Sequence, residues 1–216
     1  LEHWENLSGQ FPDNTDFALS LAMNLLLLGD VEIAAAEAQR VLKMDPENIM
    51  AANMLADIAE FSNKPEKAAV ELRKRIDTME DKATKSVFLL RLAALLNELN
   101  KVNPAEYPLT RAIAVSGEAV DANPLYTSAR LFMGELLAAD RQYSAARGVF
   151  EYVLKEHNRD SRRAKIGLFE ICIATRQLDE AEKWLKDMLT RFDPYDPYRY
   201  YHMARLEFER GNYAAG

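Results

Sequence analysis

Cysteine occurs once in this 216-residue sequence, at Cys172, and histidine three times, at His3, His157 and His202. A lone thiol excludes an internal disulfide framework and any multi-cysteine zinc site. The three imidazoles are too scattered to form a metal-ligand set by spacing. Basic residues are the minority charge. The 27 Lys and Arg stand against 34 Asp and Glu, giving a formal charge of −7 and an isoelectric point of about 5.1. That balance argues against a general nucleic-acid binder, which carries a basic footprint. Long apolar runs are missing too. The most apolar stretch, Phe17 to Leu28, is interrupted by Ser20 and Asn24 and falls short of the about 20 residues that span a bilayer. The chain opens on Leu1 with no basic-then-apolar leader, and direct membrane insertion is not expected. No Ser-His-Asp arrangement, glycine-rich phosphate loop, HExxH motif or paired-carboxylate motif is present. The expectation is no catalytic residue, no cofactor and no metal, hence not an enzyme.

What is abundant is alanine and leucine, 31 and 28 residues. Both are strong helix formers, and alanine lets helices approach closely. Hydrophobic residues make up 49%, enough for a packed core and against disorder. Length alone would suggest one or two globular domains.

The order of the residues says more. Pro12-Asp13-Asn14 returns as Pro46-Glu47-Asn48, 34 positions on, and Leu21-Ala22 returns as Leu55-Ala56 at the same interval. Ala34 and Ala68 keep it, as do Ala112 and Ala146, Ala119 and Val153, and Pro124 and Asn158. A fixed period of this length is the mark of a repeat architecture. Apolar residues also recur at helical spacing, as in Phe88, Leu92, Leu95 and Leu99. Breakers separate them at Gly29-Asp30, Asn63-Lys64-Pro65, Asn100 and Gly211-Asn212. Pro46 and Pro124 close helices, since proline cannot continue one.

In these features the sequence resembles the tetratricopeptide repeat, a 34-residue helix–turn–helix unit. The clearest copy, Thr127–Asp160, has Met133-Gly134 at positions 7 and 8, Leu137 at 11, Ala146 at 20, Phe150 at 24 and Val153 at 27. The resemblance implies an all-α, right-handed superhelical solenoid. It divides the chain into 1–14, the second helix of a preceding repeat, then repeats 15–48, 49–82, 86–126, 127–160 and 162–195, and an incomplete repeat over 197–216. About seven extra residues fall around Lys101–Pro108, where Ala112 follows Leu92 by more than the standard interval. Phe169 stands at position 8, where Gly or Ala belongs. The small residues at positions 8 and 20 are read as the crossing points of paired helices. The piece is expected to be cut from a longer, bacterial protein, with the compartment open between cytoplasm and periplasm. Its open ends are expected to associate.

The resemblance also implies a function class. In the family, positions 2, 5, 9 and 12 of the first helices face the concave side, where repeat proteins hold partners. The residues expected to bind a partner are Asn53, Asp57, Glu60, Asn97, Glu135, Arg163, Glu170, Tyr198, Tyr201 and Arg205. Asp57, Glu60, Glu135 and Glu170 make acidic points that suit a basic or mixed segment of a protein or peptide; an ordinary solvated surface is the alternative. Chaperone adaptors of the family clamp a terminal carboxylate with Lys and Asn, but Leu19 and Met23 occupy those positions here, which rejects that role. Phe192, Tyr195, Tyr198, Tyr200 and Tyr201 with Arg191, Arg199 and Arg205 form an aromatic–arginine cluster of the kind found at hot spots. Tyr200 at position 4 also reads as core. The 101–108 insertion reads either as a partner-contact loop or as a tolerated turn. Cys172 at position 11 reads as a buried, inert thiol. The leading expectation is a non-catalytic interaction scaffold. The alternative is a periplasmic segment of an exopolysaccharide export or modification machine, recruiting a modifying enzyme or guiding polymer.

Overall fold

Alanine- and leucine-rich stretches at helical spacing become helices throughout, and there is no strand among the described residues. The structure, a computed structural model, describes residues 2–46, 48–61, 65–190 and 197–211. The chain forms two compact units, Leu1–Asn123 and Pro124–Gly216.

The first unit contains α1 (Glu2–Gln10), α2 (Thr15–Leu28), α3 (Val31–Met44), α4 (Ile49–Phe61), α5 (Pro65–Thr78), α6 (Lys82–Val102) and α7 (Leu109–Ala122). Local chemistry sets the ends. The Asn14 carboxamide oxygen accepts from the N–H of Asp16 at 3.0 Å and of Phe17 at 3.1 Å, satisfying orphan donors at the start of α2. The Asp81 carboxylate does the same for Thr84 N–H at 2.6 Å. Gly29 ends α2 in the left-handed region, φ 88°, and Asp30 N–H closes onto Leu25 C=O at 2.9 Å.

Small residues lie at the helix crossings. Ala22 of α2 and Ala34 of α3, and Ala93 of α6 and Ala112 of α7, have no exposed surface, so paired axes can approach closely. The extra residues of the third repeat go largely into helix. α6 has 21 residues against 14 in α2, and only 103–108 remain as a connecting loop. Ser86 Oγ donates to Ala119 C=O at 2.7 Å from a fully buried position, tying α6 to the end of α7.

The second unit contains α8 (Thr127–Ala139), α9 (Tyr143–Tyr152) with a π-helical turn at Val153–His157, α10 (Arg162–Ala174), α11 (Leu178–Leu189) and α12 (Pro197–Glu209). Phe150 is fully buried and wedges between two glycines. A Cβ built on Gly134 would stand 2.8 Å from its ring, and one on Gly167 only 2.4 Å. Phe169, the large residue at a small-residue position, is also fully buried. Ala181, at position 20, keeps the small half of the pair, and the Phe169 ring meets His202 of α12 edge-on at 5.0 Å. Phe169 joins Cys172, Ile173, Leu185, Met188 and Leu206 in one core cluster.

Candidate functional site on the first-helix faces

The ten residues singled out from the sequence lie on first helices, and the structure brings five of them, Glu135, Arg163, Glu170, Tyr201 and Arg205, together with one another. In the first unit, Arg91 of α6 donates to the Asp57 carboxylate of α4. Asn53 is exposed and Asn97 half-buried on the same helices. The side chain of Glu60 lies outside the described residues.

In the second unit, Arg163 of α10 grips Glu135 of α8 with two parallel bonds, 2.6 Å from Nε and 2.7 Å from Nη2. That fork is the favoured carboxylate geometry of arginine, and it holds the Arg163 guanidinium above its ordinary range. Glu170 of α10 pairs with Arg205 of α12 at 2.6 Å and lies 3.7 Å from His202 Nδ1. Burial raises the Glu170 carboxyl above the usual range, with Arg205 pulling against that shift. Arg205 also donates to Tyr201 Oη at 3.4 Å. Tyr198 is exposed, with the Arg162 guanidinium 5.5 Å from its ring centre.

Three acidic points therefore each carry an arginine from the next first helix, roughly one repeat further along the chain. The sequence could not show this, because a residue's repeat position does not say where its side chain reaches. Tyr200 differs from its core reading and is 61% exposed. Among the described residues of α12, His202 and Leu206 are the buried ones, and the Tyr200 side is exposed. Arg191, Phe192 and Tyr195 lie outside the described residues.

Other groups were missed. Asp16, Leu19, Ser20, Met23 and Asn24 of α2, with Met50 and Met54 of α4 and Trp4 of α1, line a cavity of about 300 Å³ on the first-helix side. The repeat register points toward it, since Asp16, Leu19, Met23 and Met50 stand at concave-facing positions 2, 5, 9 and 2 of their repeats, but it gives no sign that they enclose a cavity with Trp4. A second cavity, about 570 Å³, lies between α5 and α7 over Leu92 and Leu96 of α6. Tyr107 of the inserted loop lines one end of it, beside Arg111. Arg73 of α5 bridges to Glu118 of α7 at 2.7 Å and to Asp77 at 3.1 Å.

In the second unit, Lys165 fills the position-4 slot where an aromatic is usual. It is buried and meets Asp187 at 2.5 Å and Asp160 at 3.5 Å. A buried ammonium needs such partners. Together with Trp184, Arg159 and the π-helical turn, it lines a third cavity of about 410 Å³. Cys172 is fully buried, and burial pushes its thiol up, away from the thiolate that reactivity requires. Among the described residues no group of His, Cys, Asp and Glu is placed to hold a metal ion, and no helix is long and apolar enough to cross a membrane.

Comparison with known proteins gives a consistent picture. No curated protein matches the chain. A crystal structure of a tetratricopeptide repeat protein from Parabacteroides merdae superposes with a TM-score of 0.71 at 20% identity, over 92% of this chain and 74% of that one. YrrB, described as a TPR protein with an unusual peptide-binding site, gives 0.63 at 16% identity, over 94% and 97%. PilW, described as a widely conserved type IV pilus biogenesis factor, gives 0.65 at 21% identity, over 92% and 87%. At such identities the likeness is one of fold. The tetratricopeptide repeat pattern itself matches residues 19–78 and again 137–206, and the chain belongs to the tetratricopeptide repeat family.

Proposed function

We propose that this chain is a non-catalytic scaffold that holds a protein or peptide partner along its first helices, the side that the family resemblance makes concave. A fold alone does not assign a function. The observation that carries the reading is the chemistry of that side. Met23 and Met50 are exposed, Asn53 is exposed beside them, and Tyr198 and Tyr201 are exposed on α12. Exposed Met and Tyr beside Arg is the composition of an interface core. Asp57, Glu135 and Glu170 are held by internal arginines, so these points offer fixed charges of both signs. The surface suits a mixed apolar and charged segment. The repeats 15–48 through 162–195 are part of this proposal as the units that repeat the surface. Self-association through α12 is a second use of the same exposed aromatics. The exopolysaccharide alternative turns on the parent gene, where a secretory leader and a β-barrel pattern would support it.

The test is selection of 12-residue peptides from a random display library on the whole chain, followed by titration. Met23→Lys and Tyr201→Asp should weaken the selected peptides by about tenfold or more, the scale of an interface hot spot. Ile33→Asp and Val70→Asp, exposed on second helices, should leave them within about twofold, as surface changes away from a contact do. Equal losses from both sets, or none from the first, would overturn the assignment.

A further inference from the structure

The cavity of about 300 Å³ on the first-helix side of the first unit has an unusual composition. Its walls are Leu19, Met23, Met50 and Met54, with the polar Ser20 and Asn24. One charged residue lines it, Asp16, and one aromatic, Trp4. Asp16 differs from the other acids of the first-helix row. Asp57, Glu135 and Glu170 each hold an arginine, whereas Asp16 makes no ion pair among the described residues. Its place is fixed locally. Asn14 caps α2 through the backbone N–H groups of Asp16 and Phe17, which leaves the Asp16 carboxylate exposed at the cavity's edge. Trp4 is held from α1 by ring contacts with His3 at 5.6 Å and Phe17 at 6.5 Å.

We infer that this cavity is the anchor site for a basic side chain, Arg or Lys, of the bound peptide. The assignment rests on the scaffold reading above and names the chemistry of one of its contacts. A long basic side chain is part apolar stem and part cation. The stem lies against three methionines, whose flexible thioethers adapt to it. The cation reaches the unpaired Asp16 carboxylate, and the indole face of Trp4 is the strongest aromatic partner for a cation. A purely apolar side chain would bury the methionines but leave Asp16 unanswered, and an acidic one would face it with like charge. The cavity volume, at the low end for ligand sites, suits one side chain rather than a helix.

Three display libraries test this on the whole chain, each of random peptides with the central residue fixed as Arg, Leu or Glu. The Arg-centred library should be retained about tenfold more strongly than the other two, as an ion pair with a cation–π contact allows. Asp16→Asn should reduce that preference to about twofold while retention of the Leu-centred library stays unchanged. Ser20→Lys, which places an ammonium four residues from Asp16 on the same helix face, should abolish it. Circular dichroism should show both variants folded, since both positions are on the surface side of α2. Retention of the Leu-centred library with no gain for Arg, or an Arg preference that stays at about tenfold in Asp16→Asn, overturns the anchor assignment alone. A concentration-dependent dimer lost in Ser20→Lys would assign the cavity to a second copy and overturn it too. Retention of none of the three libraries overturns the scaffold reading with it.

Discussion

At the scale of single residues, the Phe150 ring is held closely between Gly134 and Gly167. Phe150 has no exposed surface and so no open space to swing into. Gly167→Ala places a methyl 2.4 Å from a ring carbon. Overpacking of this kind costs about 1–3 kcal/mol, enough to exceed the roughly 1 kcal/mol that alanine gains over glycine in a helix. Gly148 on α9 has nothing within 4 Å of a built Cβ, so Gly148→Ala should stabilise by about 0.5–1 kcal/mol. Urea denaturation of the two variants should therefore give opposite signs. In a Phe150→Leu background the Gly167→Ala penalty should shrink, the coupling expected of residues in contact. A Gly167→Ala midpoint equal to or above that of the parent would remove the wedge argument. Half of this contact was legible in the sequence. Gly134 and Phe150 sit at positions 8 and 24 of a recognised repeat pattern. Gly167, at position 6 of the next repeat, has no place in that pattern, because it answers a ring from the repeat before it.

At the scale of elements, the turn between paired helices recurs at the same point, and its chemistry does not. Gly29 and Gly211 close α2 and α12 with φ of 88° and 84°. Arg141 and Arg176 take the equivalent places after α8 and α10 with φ of 61° and 60°. A side chain in the left-handed region carries a cost of about 1–2 kcal/mol that glycine does not. Glycine gives back part of it through the unfolded chain's entropy, about 0.4–1 kcal/mol. Arg141→Gly should thus raise stability by about 0.5–1 kcal/mol, read as a higher thermal midpoint with unchanged helicity. A lower midpoint would mean that the Arg141 side chain earns its place by a contact. The turn was readable at Gly29-Asp30 and invisible at the arginines, since nothing about arginine announces positive φ. The insertion shows a similar division. Its size could be counted from the distance between Leu92 and Ala112. That most of it would lengthen α6, leaving 103–108 to set Tyr107 over the cleft, depends on packing between α5 and α7 that no local pattern encodes.

At the scale of the molecule, many of the 34 acids behind the −7 charge are held in ion pairs, and the net charge is the excess those pairs leave over. Counting residues gave the sign and the number. It could not show that Asp57, Glu135 and Glu170 are held by Arg91, Arg163 and Arg205, since each pair joins residues about one repeat apart. Such pairs are worth little individually at a surface, yet they set how the protein responds to acid. Glu182 is the clearest case. Its carboxylate meets Lys186 and Arg210, both at 2.6 Å, and hydrogen bonds from these two cations hold its pKa down to about 2. Glu180 is likewise lowered, through its hydrogen bond from Arg147. For a carboxyl whose folded pKa lies below its unfolded value, the unfolded chain binds the proton first as pH falls. Its contribution is therefore complete above the ordinary glutamate range, near 4.5, and is lost as pH drops through that value toward about 2. Glu170 works the other way. Its raised pKa means that acid first relieves the cost of burying its charge, so the two shifts oppose each other as the solution is acidified. Thermal midpoints measured from pH 6 down to pH 2.5 should fall, and the fall should be smaller in Glu182→Gln, whose neutral amide has no charge to lose. The variant should match the parent most closely at the acid end of the series and lie furthest below it near neutrality. Parallel curves for the two proteins would show that Lys186 and Arg210 are solvated in the folded state and that the pairing at Glu182 does not couple stability to pH.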